Sequence, residues 1–384
     1  MPAGRLLNSA RFRGILYQVL VVGLVVAVGW YLVDNTLTNL AARGIATGFD
    51  FLGREAGFDI GESPIAYSAA DSYLRALGAG LANTLTVSAI GIVLASVLGT
   101  IVGIARLSGN WLVARLAALY VEAVRNVPLL LQLFVWYGIV TALPGPRQAL
   151  NPLPGVFLSN RGLKVPVPEP HPVHWALLAA FVAGLVVAWA FKRWSMARQA
   201  STGRPFPHGL AGTMIVLGLP LVIFMAARAP LSLDVPELRG FNFRGGATLS
   251  PEFAALLAGL TIYTAAFIAE IVRSGILAVP TGQTEAALSL GLSRAKTLRL
   301  VILPQALRVI VPPLTSQYLN LTKNSSLAVA IGYPDLVSVA NTAINQTGQA
   351  VEGVAIIMAV FLTISLSLSL LMNWYNARVA LVTR

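Results

Sequence analysis

Of 384 residues only 11% are charged and 56% are hydrophobic, and mean hydropathy is +0.74. That composition excludes a soluble domain, which needs far more charge to cover its surface. The net charge of +12 invites a nucleic-acid reading, which the placement of the charges argues against, and the lack of cysteine rules out disulfides, thiolate metal sites and cysteine nucleophiles.

A membrane span needs about 20 apolar residues to cross about 30 Å of hydrocarbon. The first apolar run follows Arg5, Arg11 and Arg13 and continues to Val33 without a small-residue cleavage site. It therefore reads as a retained anchor and not as a cleaved signal. Eight spans are predicted in all: Ile15–Val33, Leu81–Ala105, Val127–Leu143, Trp175–Phe191, Leu210–Ala227, Phe253–Val272, Ile310–Ile331 and Gly353–Met372. Pro128 and Gln132 interrupt the third, and the seventh is unusually polar. The expected class is all-α, a polytopic transmembrane helical bundle.

Counting charges tests the eight-span arrangement. With the N-terminus inside, the inner segments hold Arg5, Arg11, Arg13, Arg106, Arg115, Arg125, Lys192, Arg193, Arg198, Arg204, Arg273, Arg294, Lys296, Arg299, Arg308, Arg378 and Arg384, 17 of the 27 basic residues, against 9 outside and Lys323 within a span. Of the 15 acidic residues only Glu122, Glu270 and Glu285 fall inside. Lys and Arg excess in short cytoplasmic loops sets orientation, so both termini are expected in the cytoplasm. The positive charge is then a topology signal, with some contact to anionic membrane lipid and no nucleic-acid partner.

Three outer segments stand out. Asp34 to Gly80 is rich in glycine and acidic residues, with Phe49, Phe51, Phe58 and Tyr67 among them. Pro144 to His174 carries Pro152, Pro154, Pro166, Pro168 and Pro170 and reads as an irregular loop. Ala229 to Pro251 is a third connection. Each is either a solvated linker or a docking surface for a soluble partner.

No catalytic constellation is visible. His171, His174 and His208 lack a metal-ligand pattern, and none of Lys164, Lys192, Lys296 and Lys323 follows a glycine, so a phosphate-cradling loop ending in Gly-Lys is absent. The chain is not expected to be an enzyme or to bind a cofactor or metal.

The informative inner loop runs from Val279 to Pro304. Pro280 and Gly282 should break the incoming helix, Thr284 should cap a short helix over Glu285–Leu290, and Glu285 suits the dipole of its first turn. Gly291 permits the left-handed conformation that ends this helix, and Ser293 can cap a second helix running to a break at Pro304. Two short helices at a sharp angle would form a knob suited to a groove on a cytoplasmic partner.

This loop resembles the EAA loop of the membrane subunits of binding-protein-dependent ABC importers, on Glu285, Ala286, Ala287, Gly291, Val301, Leu303 and Pro304, with Val301 where isoleucine is common. Asn83–Ser88, Tyr120–Phe134 and Asn320–Leu327 resemble the polar-amino-acid branch of that family. The extra N-terminal span, the insertion and Gly48–Gly57 are similar to the larger permease of general L-amino-acid importers. The resemblance implies an ABC type-1 importer transmembrane domain over residues 81–374 with a two-span insertion at about 144–248, after an N-terminal span and acidic loop in 1–80 and before a short tail at 375–384. It also implies the inner membrane of a bacterium, a second permease subunit, two ATPase subunits holding ATP and Mg, and a periplasmic amino-acid-binding protein. Glutamate, glutamine, aspartate and asparagine, or L-amino acids broadly, are the implied substrates.

Ser316, Asn320, Lys323 and Asn324 share one face of the seventh span. A lysine at membrane depth is costly and should meet protein or water. One reading is a substrate pathway, the other interhelical hydrogen bonding where subunits meet. Glu270 lies three residues before Arg273, the spacing of a helical ion pair. An ion-coupled secondary transporter is the alternative to the ATP-driven importer; it would show inverted repeats around a midplane site, and it leaves the Glu285–Pro304 pattern unexplained.

Overall fold

The computed structural model describes residues 10–379 apart from 43, 45–46, 170, 204–206 and 228–231. Arg5, Arg204 and Arg384 from the charge count, Pro170, and the end of the 375–384 tail lie outside the described residues. In chain order the helices are α1 (Ala10–Ala42), α2 (Tyr73–Ala105), α3 (Trp111–Asn126), α4 (Leu129–Thr141), α5 (Val173–Thr202), α6 (His208–Ala226), α7 (Pro251–Leu277), α8 (Thr281–Ser289), α9 (Arg294–Thr297), α10 (Leu303–Asn324), α11 (Leu336–Thr347) and α12 (Ala350–Val379). Two compact units result, one from Met1–Ile139 with Glu252–Arg384 and the other from Val140–Pro251.

Among the described residues seven helices are long and apolar enough to cross a membrane, or eight if α3 and α4 together make one span. The third expected span is corrected here. α4 alone covers only about 20 Å, and it meets α3 at a bend of 106°. Pro128 explains the bend: the residue before a proline is pushed out of helical geometry, and Val127 sits at φ −102°, ψ 128°. Gln132, which looked like an interruption, is the cap of this corner. Its amide Nε2 donates to the carbonyls of Val124 at 2.8 Å and Val127 at 2.9 Å, which the broken helix leaves without partners.

In the first unit α2 carries small residues at every fourth position, Gly91, Ala95, Gly99 and Gly103. A Cβ on Gly99 would lie 2.6 Å from the Ile268 Cβ and 2.9 Å from the Ala265 carbonyl, and one on Gly103 would lie 2.7 Å from the Ala269 carbonyl. Bare backbone thus lets α2 and α7 approach closely, the usual basis of helix association where lipid removes the hydrophobic drive.

α2 begins at Tyr73, about two turns before the expected Leu81, with Ser72 accepting from the Arg75 N–H as its cap. The added turns are held by packing: Tyr73, Ala76 and Leu77 are buried with Phe51, Ala56, Leu336, Val339, Ala340 and Ala343. Residues 47–72 are therefore not a merely solvated linker. Their start is clamped as well, since the Gly48 N–H donates to Glu352 at 2.7 Å and its carbonyl accepts from Gln349 at 2.9 Å. Asn83 of α2 donates to the carbonyls of Glu62 at 2.7 Å and Pro334 at 2.8 Å, and the Thr84 hydroxyl accepts from the Leu336 N–H at 3.1 Å. α11, which the sequence reading left out, is capped by Asp335, whose carboxylate accepts from the Ser338 N–H at 2.8 Å.

The second unit also departs from expectation. The segment read as an irregular loop forms strands β1 (Leu150–Leu153), β2 (Val156–Ser159), β3 (Gly162–Val165) and β4 (Val167–Pro168), and the third connection supplies β5 (Leu233–Asp234), β6 (Glu237–Arg239), β7 (Asn242–Arg244) and β8 (Ala247–Leu249). They make an antiparallel sheet of order β1-β2-β3-β8 and two paired ribbons, β4-β5 and β6-β7. The prolines fall mainly at strand ends and between strands, where no ladder hydrogen bond is lost. Phe157 of β2 and Phe243 of β7 stack with ring centroids 4.6 Å apart. α5 and α6 pack through small residues, with a Cβ on Gly184 only 3.1 Å from the Val216 Cα.

Candidate transport-coupling site

The knob forms between α7 and α10. α8 starts at Thr281, with Pro280 at the cap position and no side-chain cap bond, so Thr284 lies inside the helix and is not its N-cap. The fixed φ of a proline suits a helix entry, and the Pro280 carbonyl accepts from the Gln283 N–H at 3.0 Å. The far end follows the expected chemistry. Gly291 sits at φ +79°, its N–H donates to the Leu288 carbonyl at 2.9 Å, and the Leu292 N–H reaches the Ala287 carbonyl at 3.1 Å. These are the paired bonds of a Schellman ending, which places a left-handed residue at this position. Ser293 then caps α9 by accepting from the Lys296 N–H at 3.5 Å.

Pro304 does not break the second helix, contrary to expectation. α9 passes through a π-helical turn, Leu298–Ile302, directly into α10, and the helical run continues through a 3-10 turn to Ile331. The Leu303 N–H bonds the Leu298 carbonyl, five residues back, and Pro304 follows as the second residue of α10. A proline is tolerated in a first turn, where its missing N–H has little to pair with, and the wider turn resets the register ahead of it.

Ala287, Thr297 and Ile302 are buried in the elbow, while Glu285, Ala286, Gly291, Leu303 and Pro304 are exposed. Gln305 braces the elbow: its amide donates to the Val301 carbonyl at 2.9 Å and to Gln283 of α8 at 3.3 Å. Leu288, Leu290, Leu298 and Leu300 point outward, Leu290 at 83% exposure. Arg294, Lys296 and Arg299 are exposed around them. The result is a stiff, apolar-tipped projection rimmed by positive charge. The Gln283–Gln305 brace and the exposed leucines escaped the sequence reading, because one is a contact across an elbow and the others look like ordinary helix residues.

Glu270 of α7 pairs with Arg273 at 2.7 Å, as the spacing suggested, and also with Arg106 at the end of α2. Two guanidinium groups thus share one carboxylate and join α2 to α7. On α10, Ser316, Asn320 and Lys323 are exposed and Asn324 is half-buried, opposite a face where Leu321, Thr322 and Ser325 are buried. The Lys323 ammonium has no hydrogen-bond or ion-pair partner among the described residues, so this polar face is open to water or to another chain. His171 and His174 belong to a turn, with ring centroids 6.3 Å apart and the Val173 N–H donating to His171 Nδ1.

Residues 91–381, which hold the knob, the doubly paired Glu270 and the polar face of α10, match a family described as binding-protein-dependent transport system inner membrane component. The chain belongs to that family. With the family comes the helical, polytopic architecture of an ABC type-1 importer transmembrane domain. This transport-system membrane component is 53% identical to a putative amino-acid ABC transporter permease protein, YhdX, of Escherichia coli K12, over 97% of this chain and 95% of that one. It is 48% identical to the general L-amino acid transport system permease protein AapQ of Rhizobium johnstonii, over 97% and 94%. It is 42% identical to the glutamate/glutamine/aspartate/asparagine transport system permease protein BztB of Rhodobacter capsulatus, over 99% and 96%. As an ABC importer permease it is a transport component and not itself catalytic.

Proposed function

We propose that this chain is the permease subunit of an ATP-driven amino-acid importer, with glutamate, glutamine, aspartate and asparagine or a wider set of L-amino acids as cargo. The names of its relatives support that substrate class. The observation that carries the mechanism is the unbroken helical run from Arg294 to Ile331, with the braced α8 knob fixed at its base. A helix continuous from knob to span moves as one lever, so a shift of the knob becomes a tilt of α10. In this reading Glu285, Ala286, Ala287, Gly291, Leu303 and Pro304 form the coupling element, seated in a groove of an ATPase subunit. Two ATPase subunits bind ATP and Mg and close on each other. The knobs of this chain and of a second permease follow, and the spans expose the cargo route alternately to each side. A periplasmic binding protein delivers the amino acid. The charge count supports cytoplasmic termini and a knob on the cytoplasmic side of a bacterial inner membrane. Asn320, Lys323 and Asn324 line the route, where an ammonium attracts a substrate carboxylate.

Co-reconstitution into proteoliposomes tests this reading. With ATPase, second permease and binding protein present, glutamate or its relatives should stimulate both ATP hydrolysis and uptake. Uptake driven by an ion gradient with no nucleotide-hydrolysing partner would refute it in favour of a secondary transporter.

A further inference from the structure

The helical hairpin of the second unit has no role in the coupling scheme, yet it carries a distinct surface. α5 and α6 leave a groove of about 590 Å³ lined by Ala188, Trp189, Lys192, Gly212, Val216 and Leu217. One end of the groove is basic. Lys192 stands in it, and the adjacent Arg193 lays its guanidinium over the ring of Trp189, a residue of the groove wall, at 5.0 Å; Arg198, over the Trp194 ring at 5.4 Å, adds positive charge on another face of α5. The sequence holds no acidic residue between Glu169 and Asp234, so nothing on either helix neutralises this collar. The other end is apolar, with Val216 and Leu217 running along α6 and glycines keeping the wall low.

The depth fits a lipid. Trp175 and Trp194 are about 28 Å apart along α5, so the two tryptophans mark the two edges of a hydrocarbon layer about 30 Å thick. The collar then lies at headgroup level and the apolar wall at acyl-chain level. Ser195 adds a polar atom on the α5 stripe that carries Ala188 and Lys192: it is 1% exposed, and its hydroxyl has no hydrogen-bond partner among the described residues.

We propose that the α5–α6 groove is a binding site for an anionic phospholipid, its phosphodiester against Lys192 with Arg193 beside it, and one acyl chain along Val216 and Leu217. Charge complementarity selects the occupant, since a zwitterionic headgroup would bring a quaternary ammonium into an uncompensated cluster of cations. Basic pockets between spans commonly hold anionic headgroups in this way. The site belongs to the inserted hairpin alone and is independent of the coupling reading; only the assignment to the cytoplasmic leaflet rests on the orientation proposed above.

Native mass spectrometry of the full-length protein in detergent tests this. Phosphatidylglycerol and phosphatidylcholine are titrated against the protein, with glycerol phosphate as a chain-free competitor. The wild type should retain phosphatidylglycerol at least fivefold more than phosphatidylcholine, an effect of the size expected for one or two basic contacts near a membrane surface. Lys192→Gln combined with Arg193→Gln should abolish that preference, Lys192→Arg should keep it, and Arg115→Gln on α3 should leave it unchanged. Gly212→Leu, which fills the groove without removing charge, should lower phosphatidylglycerol retention as well, and size-exclusion elution confirms that each variant is folded. Equal retention of the two lipids, insensitivity to both the charge and the groove variants, or full competition by glycerol phosphate would overturn the proposal.

Discussion

Asp335 offers a sharp test of how the α2–α11 contact is built. Asp335 is fully buried, its backbone carbonyl lies against Gly80, and its side-chain Oδ2 has no hydrogen-bond partner among the described residues. Burial pushes its pKa up from 3.8 to about 7, against the pull of the backbone N–H groups of Ser338 and Val337. The other ionisable groups facing this region are Tyr333, itself raised by burial and by the two carboxylates, and Glu62. The folded chain therefore holds the Asp335 proton more tightly than the unfolded chain, and stability is fully present below the unfolded pKa, near 4. It falls as pH rises from about 4 to 7 and is level above that. A shift of about three units at 1.36 kcal/mol each corresponds to about 4 kcal/mol. Asp335→Asn keeps the shape and the helix cap but cannot ionise. The variant should match the wild type within about 1 kcal/mol at pH 4 and exceed it by up to about 4 kcal/mol at pH 8. Unfolding midpoints in detergent across pH 4–8, taken as variant minus wild type, provide the measurement. A difference that does not change with pH would refute the argument. A slope removed by Glu62→Gln instead of Asp335→Asn would assign the proton to the wrong carboxyl.

Four further outcomes are expected. Gly291→Val meets no neighbour within 4 Å, yet the left-handed backbone costs an L-residue about 1–2 kcal/mol, so insertion should survive while uptake per ATP hydrolysed falls at least about tenfold, as about 1.4 kcal/mol of coupling corresponds to; normal uptake in proteoliposomes would remove the knob from the mechanism. Gly99→Val drives a side chain into Ile268 and the Ala265 carbonyl and should cost about 1–3 kcal/mol in unfolding assays, whereas Gly138→Ala, in open space, should not. Glu270→Gln leaves Arg106 and Arg273 facing each other and should destabilise by about 1–3 kcal/mol, read from the same unfolding midpoints; an unchanged midpoint would mean the α2–α7 latch contributes nothing. Lys323→Met should raise the KM for uptake several-fold with assembly intact if the lysine lines the route, and should instead abolish co-purification of the second permease if it serves the subunit contact.

The sequence exposed what depends on composition and local chain chemistry. Long apolar runs marked the spans, a glycine needing positive φ marked the end of α8, and the Glu270–Arg273 spacing marked an ion pair. It misled where a residue's meaning comes from across the fold. Gln132 looked like a flaw in a span until its amide was found capping α3. Pro304 looked like a stop, but a π-helical turn absorbs it. Residues 150–168 looked irregular because prolines hide short strands whose partners, such as β8, lie some 80 residues away along the chain. Phe51 and Ala56 gave no local sign of burial, because the surface that covers them comes from α2 and α11. The small-residue stripe of α2 was visible in principle as glycine or alanine at every fourth position, a pattern that identifies a close helix crossing only when a partner helix is in view.

The Gly48 peptide, held by Glu352 and Gln349, ties the beginning of the chain to its last helix across roughly 300 residues. A ribosome adding about 5–20 residues per second needs on the order of 15–60 s to span that distance. Throughout this interval Phe51 and Ala56 have no finished surface to settle on, and the 47–72 segment waits as an unclosed clasp. Completion of α12 is thus the step that fastens the whole unit, and a polypeptide truncated before Gln349 would carry its front end unsealed, a ready mark for proteases that clear unfinished membrane proteins.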